Sequence, residues 1–174
     1  MSTHDLALRA LELAKSIQAE APIRYVPPSA GTRPRSENII PYALVRNTRG
    51  YIERVVHQIN GAYENGWFDA CAVMMRRLLE TLIIECFEAK GVAHKIKNAQ
   101  TQDFLLLADL IQRTLGESRW NLGRNTRSVL PRLKRIGDQS AHSRRYHAHR
   151  EDVDRLAVEF REVCQELLYL AGLR

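Results

Sequence analysis

The sequence predicts an all-α fold, an up-and-down helical bundle of four to five main helices plus a short N-terminal helix. Three observations carry that reading. Apolar residues recur at spacings of three and four almost from end to end, strand-like alternation is nearly absent, and the connections are short enough to join antiparallel neighbours. With 174 residues the chain suits one main core, which at this size hides roughly two thirds of the unfolded surface.

Residues 4–20 form the first predicted helix, with Leu6, Ala10, Leu13, Ala14 and Ile17 on one stripe. Residues 21–38 contain Pro22, Pro27, Pro28, Pro34 and Gly31, a composition that resists regular structure and suits a strap. The expected organisation is therefore an N-terminal helix and proline-rich strap over residues 1–38 and the bundle over residues 39–174. A second helix starts with Asn38 as cap and Pro41 in its first turn, and runs toward Tyr63 with Leu44, Tyr51, Ile52, Val55, Val56 and Ile59 inward. Asn65-Gly66 ends it.

The third helix, residues 67–90, is the clearest element. Phe68, Cys71, Ala72, Met75, Leu78, Leu79, Leu82, Ile83, Cys86 and Phe87 follow the 3.6-residue period, and Gly91 closes it. On its polar side Arg76 and Glu80 are four apart and can pair. A fourth helix covers residues 101–115, opening at Thr101, ending at Gly116 and facing Phe104, Leu107, Leu110 and Ile111 inward. A fifth begins near Asn125 and runs through Val129, Leu130, Leu133 and Ile136, with Pro131 bending or delaying it and a glycine-bearing turn following. The last opens with Glu151, Asp152 and Asp154, acids suited to a helix N-terminus, and packs Val153, Leu156, Phe160, Val163, Leu167 and Leu170.

Several function classes recede on composition. The N-terminus carries His4, Asp5 and Arg9 where an export signal needs a basic start and an unbroken apolar run, so a cytoplasmic protein is expected. The apolar stretches "LLETLIIECF" and "FLLLADLI" are interrupted by acids and fall short of the roughly 20 residues that span a bilayer. Cys71, Cys86 and Cys164 sit singly within apolar patterns, offering neither a disulfide frame nor a zinc spacing, and read as core residues. The net charge of +6 is uneven: residues 124–155 hold nine Arg or Lys against four acids. A basic face of this kind suits a polyanion, nucleic acid first, and equally suits a merely solvated surface.

The stretch "RIGDQSAHSRR", residues 135–145, gathers the candidate chemistry. His142, His147 and His149 lie close in sequence, but their spacing is not the i, i+4 pattern of a helix-borne zinc site and no cysteine is near, so no metal or cofactor is expected. No glycine-rich phosphate loop is present, and Ser140 has no evident acid–histidine pair. Arg135 and His142 stand seven apart. Given 21 arginines, about two Arg–His pairs at separations of five to seven are expected by chance, and two occur, the other being Arg144 with His149. Spacing alone decides nothing.

Context adds more. "RLKRIGDQSAH" follows an amphipathic helix, and "CAVMMRRLLETLIIECF" lies some sixty residues before it. Together they resemble the HEPN superfamily of small α-helical bundles, most closely the branch called domain of unknown function 4145. Arg76 or Arg77 with Leu79 and Glu80 fit the first pattern; Arg135, Gly137, Asp138, Ala141 and His142 fit the second, which shows Asn where Asp138 stands. The resemblance spans about residues 40–172 and implies metal-independent RNA cleavage by an arginine–histidine pair.

Under it Arg135 is the phosphate clamp, His142 the general acid–base and Asp138 a polar orienter, while Arg132, Lys134, Arg144, Arg145 and His147 are candidate nucleic-acid contacts. Histidine, with an unperturbed pKa of about 6.5, can exchange protons with a ribose 2′-OH or the leaving oxygen, and arginine stays charged to grip the phosphate. The resemblance further implies a symmetric homodimer and a defence or toxin setting with a partner protein or antitoxin. The same residues allow a packing reading: Gly137 permits a tight backbone, His142 caps or bonds a neighbouring helix, and Arg135 pairs with a carboxylate such as Glu80. A non-catalytic module binding nucleic acid, nucleotide or protein, or a structural accessory subunit, then follows.

Overall fold

A computed structural model describes residues 5–9, 12 and 15, and residues 39–174. The chain divides into two units, Met1–Pro34 and Arg35–Arg174. In the first, the described residues are helical and exposed; the rest of the expected helix over residues 4–20 and the strap over residues 21–38 lie outside the described residues.

The second unit is an all-α, up-and-down bundle: α1 (Tyr42–Val45), α2 (Gly50–Glu64), α3 (Phe68–Ala89), a 3₁₀ turn (Ala93–Ile96), α4 (Leu107–Gly116), α5 (Arg124–His142) and α6 (Arg150–Leu170). Among the described residues, extended pairing is confined to one antiparallel bridge between Lys97 and Phe104. No helix of the described residues is long and apolar enough to cross a membrane. α3 is the axis of the unit, packing against α2, α4, α5 and α6. Its stripe from Cys71 to Phe87 is buried as the period predicts, and the three cysteines are buried free thiols. Phe87 meets Trp120 edge to face at 4.8 Å, and the Trp120 indole N–H donates to the Thr114 carbonyl at 3.1 Å, so this tryptophan is locked inside.

Four expectations need correction. The helix anticipated from Pro41 to Tyr63 is broken at residues 46–49, where Asn47 takes φ +65°. Glu53 fixes the break by accepting the Asn47 amide at 2.9 Å and the Tyr42 hydroxyl at 2.7 Å. Tyr51, placed inward by the pattern, is 44% exposed and turns its hydroxyl to the buried Glu85 carboxylate. The fourth helix starts at Leu107 rather than Thr101, because Phe104 is engaged in the bridge and half exposed, its ring beneath Lys97.

The fourth correction matters most for function. α5 does not stop near Ile136 but runs on to His142, so "GDQSAH" is helix and not a turn. It also passes through Pro131, whose missing N–H falls on the exposed face. Gly137 is buried where α5 crosses α3: a Cβ there would stand 2.5 Å from Arg76 Cβ and 3.1 Å from the Ala72 carbonyl oxygen. The glycine serves close approach of two helices rather than chain reversal.

Candidate functional site

The buried face of α5 comprises Thr126, Val129, Leu130, Leu133, Ile136 and Gly137. On the other side Arg135, Gln139 and His142 are exposed. Seven residues turn an α-helix through nearly two full turns, so Arg135 and His142 share one strip, separated by roughly 10.5 Å along the axis. Neither has an ion-pair or hydrogen-bond partner among the described residues. The alternatives in which Arg135 pairs with Glu80, or His142 bonds a neighbouring helix, are not the arrangement found: Glu80 faces Arg76 at 3.6 Å and His142 is exposed.

Asp138 looks elsewhere. Its carboxylate accepts from Arg76 Nε at 2.7 Å and from Lys134 one turn earlier, tying α5 to α3 beside Gly137. Partial burial acts to raise its pKa, but hydrogen bonds and charge from Lys134 and Arg76 outweigh this and hold it below the ordinary carboxylate value. Asp138 and Lys134, candidates as orienter and nucleic-acid contact, are thus joined to each other and to α3 rather than brought to Arg135 or His142.

Between α5 and α6 lies an open concavity of about 240 Å³, lined by Arg132, Arg135, Gln139, Tyr146, Asp152 and Arg155 among others. Arg132 pairs with Glu159 at 2.9 Å. Asp152 accepts the His149 amide at 3.0 Å and the Tyr146 hydroxyl at 3.3 Å. Arg155, like Arg135, has no partner among the described residues. The lining residues do not include His142, so the structure brings Arg135 together with Arg132 and Arg155 and leaves His142 farther along the same strip.

Residues 143–149 link α5 to α6 and carry Arg144, Arg145, His147 and His149 without an acid. Asp69, in the first turn of α3, latches this loop. Its carboxylate accepts the Ala148 amide at 2.8 Å and lies 3.2 Å from His147 Nδ1. Burial works to raise the Asp69 pKa, yet the hydrogen bonds, led by the Ala148 amide and His147, carry it below the ordinary value. Arg144 and Arg145 are exposed and unpaired among the described residues. Among the described residues no three His, Cys, Asp or Glu side chains are gathered as a metal site requires.

The chain matches no family model, no curated protein and no solved structure.

What the arrangement can do follows from its chemistry. Guanidinium groups that are charged, exposed and free of carboxylates can bind phosphate oxygens in pairs. An exposed imidazole on the same strip can carry a proton to or from a group held there. Arg155 and Asp69 escaped sequence reasoning because they lie on other elements, and only the packing of α6 and α3 against α5 brings them to this end of the bundle; Tyr146 sits in the loop itself. The acid-free run between α5 and α6 was the available signal.

Proposed function

We propose that this protein is a HEPN-type helical bundle that binds RNA along the exposed strip of α5 and the following loop, and cleaves it without metal through Arg135 and His142. The observation that supports the reading is that both side chains stand exposed on one face with no partner among the described residues, while the neighbouring Gly137 and Asp138 are committed to the α3 crossing. In the step envisaged, the ribose 2′-oxygen bonds to phosphorus as the P–O5′ bond breaks, leaving a 2′,3′-cyclic phosphate and a 5′-hydroxyl. Arg135 neutralises the charge that gathers on the phosphate, and His142 accepts the 2′-OH proton or donates one to the 5′-oxygen. A second copy, paired about a two-fold axis, would supply the complementary proton carrier. The protein acts in the cytoplasm in this reading, with an antitoxin-like partner as its regulator.

A binding-only module is the second reading, and it rests on a specific observation: Arg135 lines the concavity with Arg132 and Arg155, whereas His142 does not. Incubating the protein with single-stranded RNA in excess EDTA separates the two. Cleavage abolished by both Arg135→Ala and His142→Ala supports the nuclease. Equal cleavage by all three proteins removes these residues from the site. Salt-sensitive binding without cleavage leaves the binding module.

A further inference from the structure

The end of the bundle that carries the basic loop also carries an exposed aromatic side chain. Trp67 follows the turn Asn65-Gly66 and is 47% exposed. Its backbone is fixed: the Trp67 amide donates to Ala62 at 2.9 Å, its carbonyl accepts from Cys71 at 2.9 Å, and Gly66 supplies the positive φ of 73° that the turn demands. A large apolar ring is thus held out from a rigid turn, where ordering it on a ligand costs little conformational entropy.

The first turn of α3, which Trp67 precedes, gathers cations. Two residues along, Asp69 holds the loop of Arg144, Arg145 and His147 through the Ala148 amide. One residue along, the Phe68 ring has the Arg150 guanidinium over it at 5.3 Å, and that group also covers Tyr63 at 4.9 Å. Of the acids close to this turn, Asp69 is engaged with Ala148 and His147 and Asp154 with Tyr63, while Glu64 stands exposed at the end of α2 just before it. Exposed cations and a presented aromatic face at one end of a bundle are the combination used to hold single strands, the cations tracking phosphates while the ring stacks on a base. A duplex offers no free base face to such a ring.

We infer that Trp67 is a stacking platform for an unpaired base of single-stranded RNA whose backbone runs over residues 143–149. The inference rests on the RNA reading above and narrows it to single strands. The two can be separated experimentally because Trp67 reports its own occupancy: the other tryptophan, Trp120, is buried against Phe87.

The experiment titrates the full chain with a 2′-O-methylated, uncleavable single strand of about 12 nucleotides, following strand anisotropy and intrinsic tryptophan fluorescence together. Binding accompanied by quenching is expected, and the same sequence as a duplex gives no quenching. Trp67→Leu should weaken binding roughly 5- to 150-fold, the range for loss of one base–aromatic stack, while Trp67→Phe retains most of the affinity and circular dichroism shows both variants folded. Strand binding that Trp67→Leu leaves unchanged overturns the platform and spares the RNA reading. Failure of any strand to bind at low salt removes both. A Trp67 signal that depends on protein concentration without RNA, alongside a doubled mass, assigns the ring to a protein interface and overturns the inference.

Discussion

Replacing Gly137 by alanine tests the helix crossing on which the candidate site is built. The added methyl would stand 2.5 Å from Arg76 Cβ, 3.0 Å from Arg76 Cδ and 3.1 Å from the Ala72 carbonyl oxygen. Arg76 Cδ can swing aside, but its Cβ and the Ala72 oxygen move only with the backbone of α3. Relief therefore requires α3 and α5 to separate. Overpacking costs about 1–3 kcal/mol, and a clash with main-chain atoms belongs at the upper end, about 3 kcal/mol. Alanine returns about 1 kcal/mol through its better helix propensity. The net loss is about 2 kcal/mol, or roughly 4–8 °C in Tm for a chain of this length. Gly61 in α2 is the control, since nothing lies within 4 Å of a Cβ built there; Gly61→Ala should raise stability by about 0.5–1 kcal/mol. Thermal and urea unfolding followed by circular dichroism measure both. If Gly137→Ala proves as stable as the parent, or rises with Gly61→Ala, the crossing is not tight and the packing account of this glycine is wrong.

Two other outcomes follow from buried and paired groups. Burial pushes the thiols of Cys71 and Cys86 up to about 12 and that of Cys164 higher still, so at about pH 8 a thiol reagent should label none of them in the folded protein and all of them in urea; rapid labelling without denaturant would contradict the core. Asp138 has a folded pKa below its ordinary 3.8, so its ion pairs with Arg76 and Lys134 contribute stability that is fully present above that ordinary value and is lost as pH falls through the folded one. Asp138→Asn should melt below the parent at about pH 6 and converge on it in acid; a gap that stays constant into acid would show that the carboxylate charge is not what holds Arg76 and Lys134.

The parts of the fold legible in the sequence are those decided by local period and local charge. The stripe of α3 is buried as read, and the acids Glu151 and Asp152 open α6. Elements decided by contacts from afar were not legible. The break between α1 and α2 depends on Glu53 reaching the Asn47 amide, and the late start of α4 depends on Phe104 pairing with Lys97. Gly137 misled for the same reason. A glycine just after an apolar periodic run reads as a helix stop, and only the position of Arg76, 61 residues earlier in the chain, makes it a crossing point instead.

The motif divides into residues that packing explains and residues that it does not. Packing accounts for Gly137, which α3 leaves no room to enlarge, and for Asp138, which holds Arg76 and Lys134 across the same crossing. A bundle could keep both for stability alone, so neither is a sign of chemistry. Packing does not account for Arg135 or His142. They are exposed, bond nothing among the described residues, and stand where the helix could carry any polar side chain. Continuation of the helix through Gly137 is what puts them on one strip; a turn there would have left their relative direction open. The structural residues of the motif therefore set the register of the two that structure does not require, which is why, on the RNA reading proposed above, substitutions at Arg135 and His142 should alter RNA handling with little change in Tm, and substitutions at Gly137 and Asp138 should lower Tm first.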